Sequence, residues 1–170
     1  LKCWYYPRSH GWQTLAQAVQ NSCNPVMIQL AQRVGLTAYY NGLERFGLME
    51  KTGVDFPGEG YNILQKKETA GPVGLATMAY GQGIAVTPVS LLTAVSAYAN
   101  GGLLMKPHFV QALVDSDGHT VEEYGPVITR RAVSQQTSDD MLAIMESVVT
   151  EGGGGTARVP GYRIGGKTGT

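Results

Sequence analysis

The chain has 170 residues, of which 43% are hydrophobic and 15% charged, and its 13 Lys and Arg residues balance its 13 Asp and Glu residues. This length suits one domain, and the zero net charge argues against a nucleic-acid or polybasic membrane surface, because both need excess cations. The apolar content is too high for disorder, and no apolar run approaches the roughly 20 residues of a transmembrane helix. The sequence begins at Leu1 without a signal-peptide pattern, so we expect any export or anchoring signal to lie outside these residues.

The first part of the chain predicts three short helices. Apolar residues at three- and four-residue steps indicate a helix over 11–20. Asn24-Pro25 is typical of an N-cap followed by proline at the first helical position, and this second helix ends at Gly35. A third helix is predicted over 37–46, with its first residue as the cap. Ser22-Cys23-Asn24 is therefore predicted to lie in a tight corner between two helices.

The middle of the chain predicts one long connection, one helix and one hairpin. Residues 48–75 are rich in Gly and Pro without a sustained period, which indicates a surface connection. Thr87-Pro88 begins a helix that runs to Tyr98, and because its residues are apolar on nearly every side we expect it in the middle of a domain. Segments 108–114 and 119–124 flank an Asp-Gly turn and predict a β-hairpin.

The last part predicts a helix and a strand. Ser138 is expected to cap a helix, and glycines 152–155 are expected to form a flexible link to a strand over 162–170. The apolar face of the helix comprises Met141, Ile144, Met145, Val148 and Val149. The sequence as a whole predicts an α+β fold dominated by helices.

The cysteines and histidines do not predict a metal site. Cys3 and Cys23 are too few for a disulfide scaffold or a thiolate zinc site. His10, His108 and His119 show no metal-ligand spacing among themselves or with the cysteines. We therefore predict neither a bound metal nor a cofactor.

Two segments carry side chains suited to catalysis. Ser22 can relay a proton through its hydroxyl, and Asn24 offers an amide donor and a carbonyl acceptor, although both residue types also commonly cap helices. In segment 165–170, Lys167 stands among glycines and threonines, so an anionic group could approach it without obstruction. Backbone N–H groups there could also stabilise an oxyanion. An edge strand with a solvated lysine is the alternative interpretation.

The same terminal segment satisfies the literal phosphate-loop pattern. Residues 161–168 contain Gly, four residues and then Gly-Lys-Thr. The phosphate loop requires a buried strand before the first glycine and a helix after the lysine, whereas Pro160 precedes this glycine and Gly169 follows the Lys-Thr pair. No acidic residue at the end of an apolar strand is available for magnesium. Nucleotide binding is therefore not predicted.

The two segments together, in this order, resemble the motifs of the serine penicillin-recognising enzymes. That superfamily carries Ser-x-x-Lys, then Ser-x-Asn, then Lys-Thr-Gly. Ser22-Cys23-Asn24 matches the second motif and Lys167-Thr168-Gly169 the third. Further similarities lie at His10-Gly11, Lys51-Thr52-Gly53, Gly81-Gln82-Gly83, Thr87-Pro88 and Asn100-Gly101-Gly102.

Taken together, these features look like the transpeptidase domain of class B penicillin-binding proteins, and within that class most like the sporulation-specific stage V protein D type or a related division protein. The resemblance covers essentially the whole chain. It implies the helix-rich portion of the serine β-lactamase/penicillin-binding transpeptidase fold, with an incomplete antiparallel sheet.

The resemblance also implies a function. The expected reaction is acyl transfer on peptidoglycan stem peptides ending in D-Ala-D-Ala, and β-lactams are expected ligands. The location implied is the outer face of the bacterial cytoplasmic membrane, with division or sporulation glycosyltransferase machinery as partners and no nucleic acid. The alternatives are a non-catalytic module that senses peptidoglycan or β-lactams, and a D,D-carboxypeptidase or β-lactamase. Cys23 argues against the class A β-lactamases, in which aspartate is usual at this position.

Site residues follow from the matched motifs. Ser22 would pass a proton to the leaving amine, Asn24 would hold the peptide through its side-chain amide, and Lys167 would attract the terminal carboxylate of the substrate. Thr170 would donate its backbone N–H to the oxyanion hole.

Two further residues of the third motif are expected to bind substrate, Thr168 through its hydroxyl and Gly169 through open backbone.

The sequence departs from the family pattern at one important point. No serine in the chain is followed three residues later by lysine. In the family this nucleophile and base precede the second motif, and further strands follow the third. We therefore expect residues 1–170 to be a middle-to-late part of a longer transpeptidase domain, unable by itself to bind penicillin covalently. The terminal strand is expected to be frayed, covered or paired with another chain.

The resemblance gives the two cysteines a possible regulatory role. The family acts outside the membrane, where a disulfide can persist. We hypothesise that Cys3 and Cys23 pair in the full domain and lock the corner that carries Ser22, which would place the site under redox control. The alternative is that Cys23 is a small buried hydrophobe.

Overall fold

The computed structural model describes residues 2–169 and has the helix-dominated α+β architecture that the sequence predicts. Its helices are α1 (Leu15–Gln20), α2 (Asn24–Val34), α3 (Leu36–Arg45), α4 (Pro72–Ala79), α5 (Pro88–Ala99) and α6 (Gln135–Thr150). Its strands are β1 (Ile63–Leu64), β2 (Ile84–Ala85), β3 (Leu103–Lys106), β4 (Ala112–Val114), β5 (Thr120–Glu123) and β6 (Val127–Arg131). A short 3₁₀ turn follows α6 at Gly155–Ala157.

The strands of the described residues form three separate two-stranded antiparallel sheets. β1 pairs with β2, β3 with β6, and β4 with β5. The β4–β5 pair confirms the predicted hairpin around the Asp-Gly turn. The strand predicted over 162–170 is wrong for residues 162–169, which lie in no sheet: Tyr162 is in a bend and residues 163–169 have no regular secondary structure. Thr170 lies outside the described residues. Among residues 2–169 this segment has no neighbouring strand to pair with, and a strand requires such backbone pairing.

The helices pack around small clusters rather than one large core. α2 contacts α4, α1 contacts α6, and α5 packs against both α6 and β3. One cluster combines Tyr40, Leu43, Ala70 and Met78, and a second combines Ala97, Leu104 and Ala132. These contacts place the ends of α1 and α6 side by side, which is the arrangement that positions the site below.

Helix α4 was not predicted. Its sequence follows Gly71, the residue at its N-cap, and begins with Pro72 at the first helical position. The helix has eight residues and is apolar nearly throughout, so it shows no amphipathic period. The Gly-Pro pair was interpreted as a turn, although proline is also common at the start of a helix.

Three predicted helix starts shift by a few residues. α1 begins at Leu15 instead of 11, because Thr14 and Gln17 form a reciprocal capping box. α2 begins one residue earlier than predicted, with Cys23 at the N-cap and Asn24 as the first helical residue. α3 begins at Leu36 with Gly35 at the N-cap, so the predicted cap at Thr37 is wrong and Thr37 lies within the helix.

The predicted cap of α6 is wrong by one turn. Ser134 is the N-cap and its hydroxyl accepts a hydrogen bond from the Thr137 backbone N–H. Ser138 lies instead within the first turn, is completely buried, and donates a hydrogen bond from its hydroxyl to the Tyr98 carbonyl at the end of α5. Both serines resemble caps in sequence, and packing against α5 decides between them.

Helix α5 starts as predicted, with Thr87 as the N-cap and Pro88 at the first helical position. Only one side is buried, through Ala94 and Ala97. Its other side is open, and Leu91, Leu92 and Val95 are 50%, 67% and 44% exposed. We expected α5 to be covered on all sides, whereas among residues 2–169 other elements cover it on one side only. Among the described helices, none has the length and apolarity needed to cross a membrane.

Candidate active site

The corner between α1 and α2 is built on a Schellman turn, in which Ser22 takes the left-handed position. The Cys23 N–H donates to the Ala18 carbonyl at 2.9 Å, and the Ser22 N–H donates to the Val19 carbonyl at 3.1 Å. Ser22 has a φ of +49°, and among residues 2–169 it is the only residue other than glycine with a positive φ. Glycine usually fills this position, since a side chain there is strained. The Ser22 hydroxyl therefore lies at a position where the backbone conformation favours glycine.

Side chains from the preceding segment brace this corner. The Trp4 indole donates to the Asn21 carbonyl at 2.8 Å, and the Asn21 side-chain amide donates to Gln13 at 2.8 Å. Asn24 begins α2 and is half-buried, and its side chain makes no hydrogen bond to residues 2–169. Its amide is therefore free for a ligand, which is what the predicted peptide-binding role requires.

Lys167 reaches this corner from the far end of the chain. Its ammonium donates to the Ser22 hydroxyl oxygen at 2.9 Å, across 145 residues of sequence. The same ammonium donates to the Thr168 carbonyl at 3.1 Å and to the Thr168 hydroxyl at 3.0 Å. The structure thus brings the two sequence motifs together: Lys167 contacts Ser22 and Thr168, and Asn24 follows Ser22 by two residues at the start of α2.

The contacts of the ammonium determine what each group can do. An ammonium has three N–H donors, and all three point to the protein. Ser22 accepts from Lys167, so its own O–H proton is directed elsewhere and is available to a second acceptor. Partial desolvation lowers the pKa of Lys167 below the usual value for lysine, although the residue as a whole is exposed. The pair can therefore both hold positive charge and pass a proton.

Close packing against α6 fixes the segment that carries Lys167. The Gly166 N–H donates to the Met145 carbonyl at 3.1 Å. A Cβ on Gly165 would lie 3.2 Å from both the Glu146 backbone nitrogen and the Met145 Cβ, so a larger residue here would push this segment away from α6 by a few tenths of an ångström. The Arg163 guanidinium donates to the Glu146 carboxylate at 3.0 Å, and this hydrogen bond lowers the pKa of Glu146.

The glycines that follow α6 also make close contacts. A Cβ on Gly152 would lie 2.9 Å from the Val148 carbonyl oxygen and 3.0 Å from the Gln20 carbonyl oxygen. Gly152 thus lets the end of α6 approach the end of α1, next to the Ser22 corner. The stretch forms hydrogen-bonded turns that lead into a 3₁₀ turn, and its predicted flexibility stays a prediction.

The chain contains a second Lys-Thr-Gly triplet, and the structure gives it a different setting. Thr52 donates to the Glu59 carboxylate from its backbone N–H and its hydroxyl, both at 2.7 Å. Partial desolvation raises the pKa of Glu59, but the hydrogen bonds from Thr52 and Gly53 outweigh it and lower that pKa overall. The Lys51 ammonium lies 4.2 Å from the centre of the Tyr61 ring. Residues 51–53 therefore stabilise a loop, and the terminal triplet is the one that meets Ser22.

The remaining predicted site residues divide into described and undescribed ones. Gly169 is exposed and adjoins the segment that contacts Ser22. Thr170 lies outside the described residues, so its oxyanion role stays a prediction. Cys3 and Cys23 are free thiols, Cys23 being 4% exposed and Cys3 half-buried. Their sulfur atoms lie within 4.8 Å of each other, so the proposed pairing stays a prediction that this geometry permits.

His10 and Trp4 belong to the site region, but neither was assigned to it from the sequence. The Cys3 sulfur lies 3.2 Å from His10 Nδ1, and the His10 ring stacks on Tyr5 and meets the edge of Trp4. Neither residue has a fixed spacing to Ser22 or Lys167 that could have indicated this. The nearest sequence signal is the run of aromatic residues directly before His10.

Comparisons with known proteins agree with the motifs. The sequence matches the family model described as the penicillin binding protein transpeptidase domain over residues 1–170. It is 44% identical to stage V sporulation protein D of Bacillus subtilis over 171 residues, which is 100% of this chain and 26% of that protein. The chain therefore spans about a quarter of the length of this relative.

Solved structures show the same fold. The D,D-transpeptidase domain of a peptidoglycan glycosyltransferase from Eggerthella lenta superposes with a TM-score of 0.87 at 28% identity, covering 95% of this chain and 42% of that chain. Penicillin-binding protein 3 of Mycobacterium tuberculosis, complexed with ampicillin, gives a TM-score of 0.83 at 32% identity, covering 92% and 37%. The motifs, the fold and the full-length match agree, and the chain belongs to the penicillin-binding protein transpeptidase domain family.

Proposed function

We propose that this chain supplies two sides of the catalytic cleft of a serine D,D-transpeptidase that cross-links peptidoglycan stem peptides and binds β-lactams. The observation that carries the proposal is the hydrogen bond from the Lys167 ammonium to the Ser22 hydroxyl oxygen, at 2.9 Å. This contact joins the second and third motifs of the family in one place. The names of the relatives support the same reaction, and the ampicillin complex of one relative supports β-lactams as ligands.

The chemistry follows from the groups at the cleft. Acyl transfer requires a hydroxyl nucleophile, which attacks the penultimate carbonyl of D-Ala-D-Ala and forms an acyl-enzyme as D-alanine leaves. We assign that nucleophile to a Ser-x-x-Lys segment beyond residues 1–170. Ser22 relays the proton to the leaving amine, because its O–H is free while its oxygen accepts from Lys167. The Asn24 amide binds the peptide backbone of the substrate.

Lys167 acts mainly through its charge. Its three N–H donors already contact Ser22 and Thr168, so a substrate carboxylate is attracted by the ammonium and gains a direct bond by displacing a Thr168 contact. The Thr168 hydroxyl then becomes available as a second donor to that carboxylate. Gly169 and Thr170 follow Thr168 in the third motif, and the Thr170 backbone N–H is the proposed hydrogen-bond donor to the oxyanion.

Location, partners and regulation are part of the proposal. A protein that acts on peptidoglycan works on the outer face of the cytoplasmic membrane, beside division or sporulation glycosyltransferases. Under oxidising conditions there, pairing of Cys3 with Cys23 would hold the Ser22 corner against the segment before α1. Counting reactive thiols in the oxidised and reduced protein tests this pairing, because a disulfide removes both.

The function is tested in the longer protein that carries this chain. We expect Ser22→Ala to lower kcat for transpeptidation about 10²–10⁴-fold, because it removes a proton relay. Lys167→Ala should also slow acylation by fluorescent penicillin. Lys66→Ala is the matched control, since Lys66 is exposed and is not among the residues assigned to the cleft. Wild-type rates in both Ser22→Ala and Lys167→Ala would contradict the proposal.

A further inference from the structure

Three metal-ligating side chains converge beside the Ser22 corner. Cys3 Sγ, Cys23 Sγ and one nitrogen of His10 all lie within 4.8 Å of one another, and Cys3 Sγ lies 3.2 Å from His10 Nδ1. Sequence spacing gave no sign of this cluster, because the residues meet only after the chain folds back on the start of α2. The earlier expectation of no metal site rested on spacing alone, and this convergence is a reason to revise it.

The distances suit a small thiophilic cation. Zinc binds thiolate sulfur at about 2.3 Å and imidazole nitrogen at about 2.0–2.1 Å, so tetrahedral ligand atoms lie roughly 3.5–3.8 Å apart. The Cys3 Sγ–His10 Nδ1 distance of 3.2 Å and the other separations of at most 4.8 Å differ from that arrangement by about 1 Å or less. Two thiolates also neutralise the double charge of the cation, which matters because Cys23 is 4% exposed.

The surroundings hold the ligands in place. Cys23 is the N-cap of α2 and its backbone is fixed by the Schellman turn. The His10 ring stacks on Tyr5 with a centroid distance of 5.0 Å and meets the edge of Trp4 at 5.4 Å. Both neighbours limit the rotation of the imidazole. Three protein ligands leave a fourth position for water, as in open zinc sites.

We propose that Cys3, His10 and Cys23 form a binding site for Zn²⁺ in the reduced protein. Each thiol loses its proton to solvent when it binds the metal, and no oxidation is involved. The site is independent of the proposed catalysis, because it uses none of the residues assigned to catalysis. It competes with the proposed disulfide, since both use the same two sulfur atoms.

Another cluster of possible ligands is a useful contrast. Asp115, Asp117 and His119 lie close together on the β4–β5 hairpin, but all three are exposed. The Asp115 carboxylate already accepts from the backbone N–H groups of Asp117 and His119, which explains the arrangement as a turn. This cluster therefore serves as a control.

The test is zinc binding by the longer protein, fully reduced and kept free of oxygen, with its thiols counted first. Competition against a colorimetric zinc chelator should give one equivalent of zinc. Cys3→Ser and His10→Gln should each weaken binding by at least about tenfold. Both residues precede α1, so neither substitution removes a core side chain. Cobalt should produce the thiolate charge-transfer and tetrahedral d–d absorption bands.

His119→Gln is the matched control and should bind zinc like the wild type. Less than one equivalent in the reduced wild type would overturn the proposal. So would a loss smaller than tenfold in both Cys3→Ser and His10→Gln. The readout is the metal itself, so an inactive transpeptidase with intact zinc binding would reject the proposed function and leave this inference standing.

Discussion

At the scale of the residue, Ser22 combines backbone strain with a reactive side chain. A non-glycine residue in the left-handed region costs of order 1–3 kcal/mol, and the Schellman turn around Ser22 would form more readily with glycine. The hydroxyl at this position therefore stands against a local stability preference. Such a conflict between fold and side chain is expected at functional sites and supports the role that we propose for Ser22.

Substituting Ser22 separates stability from function. We expect Ser22→Gly in the longer protein to leave the free energy of unfolding unchanged or raise it by up to about 1 kcal/mol, because the strain is relieved. Transpeptidation should nevertheless fall as far as in Ser22→Ala, which loses the hydroxyl but keeps the strain. Urea denaturation and kcat measured on both variants check this. A lower unfolding free energy in Ser22→Gly than in Ser22→Ala would contradict it.

The lowered pKa of Lys167 predicts where the activity declines at alkaline pH. Desolvation favours the neutral amine, so the ammonium loses its proton at lower pH than an ordinary lysine. Below that pKa the charge attracts the carboxylate of a β-lactam, and above it the attraction is lost. The acylation rate constant should therefore fall at a pH below the usual lysine pKa. In Lys167→Arg the fall should move to higher pH, because guanidinium stays protonated. An unmoved alkaline limb in that variant would argue against this role.

At the scale of the element, the site depends on how closely three segments approach one another. α6 ends against α1 through Gly152, and residues 163–167 return along α6 through Gly165. The return segment gains its position from backbone contacts and the Arg163–Glu146 ion pair instead of from a sheet. Its placement is thus sensitive to small side chains.

Two neighbouring glycines provide a matched test of this packing. Gly165→Ala places a Cβ 3.2 Å from the Glu146 backbone nitrogen, which cannot move aside easily, whereas a Cβ on Gly166 meets nothing within 4 Å. We expect Gly165→Ala to displace Lys167 and lower the penicillin acylation rate at least about tenfold, since misplacement of 1 Å can cost about 10²-fold. Gly166→Ala should acylate at nearly the wild-type rate. Equal rates in the two variants would show that the contact does not position Lys167.

The elements that could be predicted were those with strong local signals. Thr87-Pro88 marked the start of α5, and the Asp-Gly turn marked the hairpin. The corner at Ser22 followed from the helix signals on either side of it, and its approach by Lys167 followed from the family motifs. Helix α4 has no amphipathic period, and the choice of Ser134 over Ser138 as the cap depends on burial against α5. The convergence of Cys3, His10 and Cys23 is set by tertiary packing alone, which no spacing rule reports.

At the scale of the whole molecule, the chain exposes an unusually large surface. It has 11350 Å² accessible, whereas a compact monomer of 18.1 kDa is expected to have about 8,100 Å². Part of the excess lies on α5, where Leu91, Leu92 and Val95 face outward. Large contiguous apolar surface usually marks a face that another part of a protein covers. The two solved relatives described above, of which this chain covers 42% and 37%, are consistent with such a cover.

Residues 1–170 in isolation test which serine is acylated. They contain no Ser-x-x-Lys, so we expect no stable labelling by fluorescent penicillin, because acylation needs an activated hydroxyl. The longer protein is the positive control. Labelling of the isolated chain that disappears in Ser22→Ala would identify Ser22 as a nucleophile and reject its assignment as a proton relay.

The Ser22–Lys167 hydrogen bond also has a consequence for folding. It closes a loop of 145 residues. Forming a contact between residues so far apart in sequence lowers the entropy of the chain before the contact contributes any favourable energy. The helices can form from local contacts, whereas the cleft exists only after both ends of the chain have met. A ligand that spans the cleft therefore binds the completed structure alone, and by mass action it stabilises the docking of the two ends.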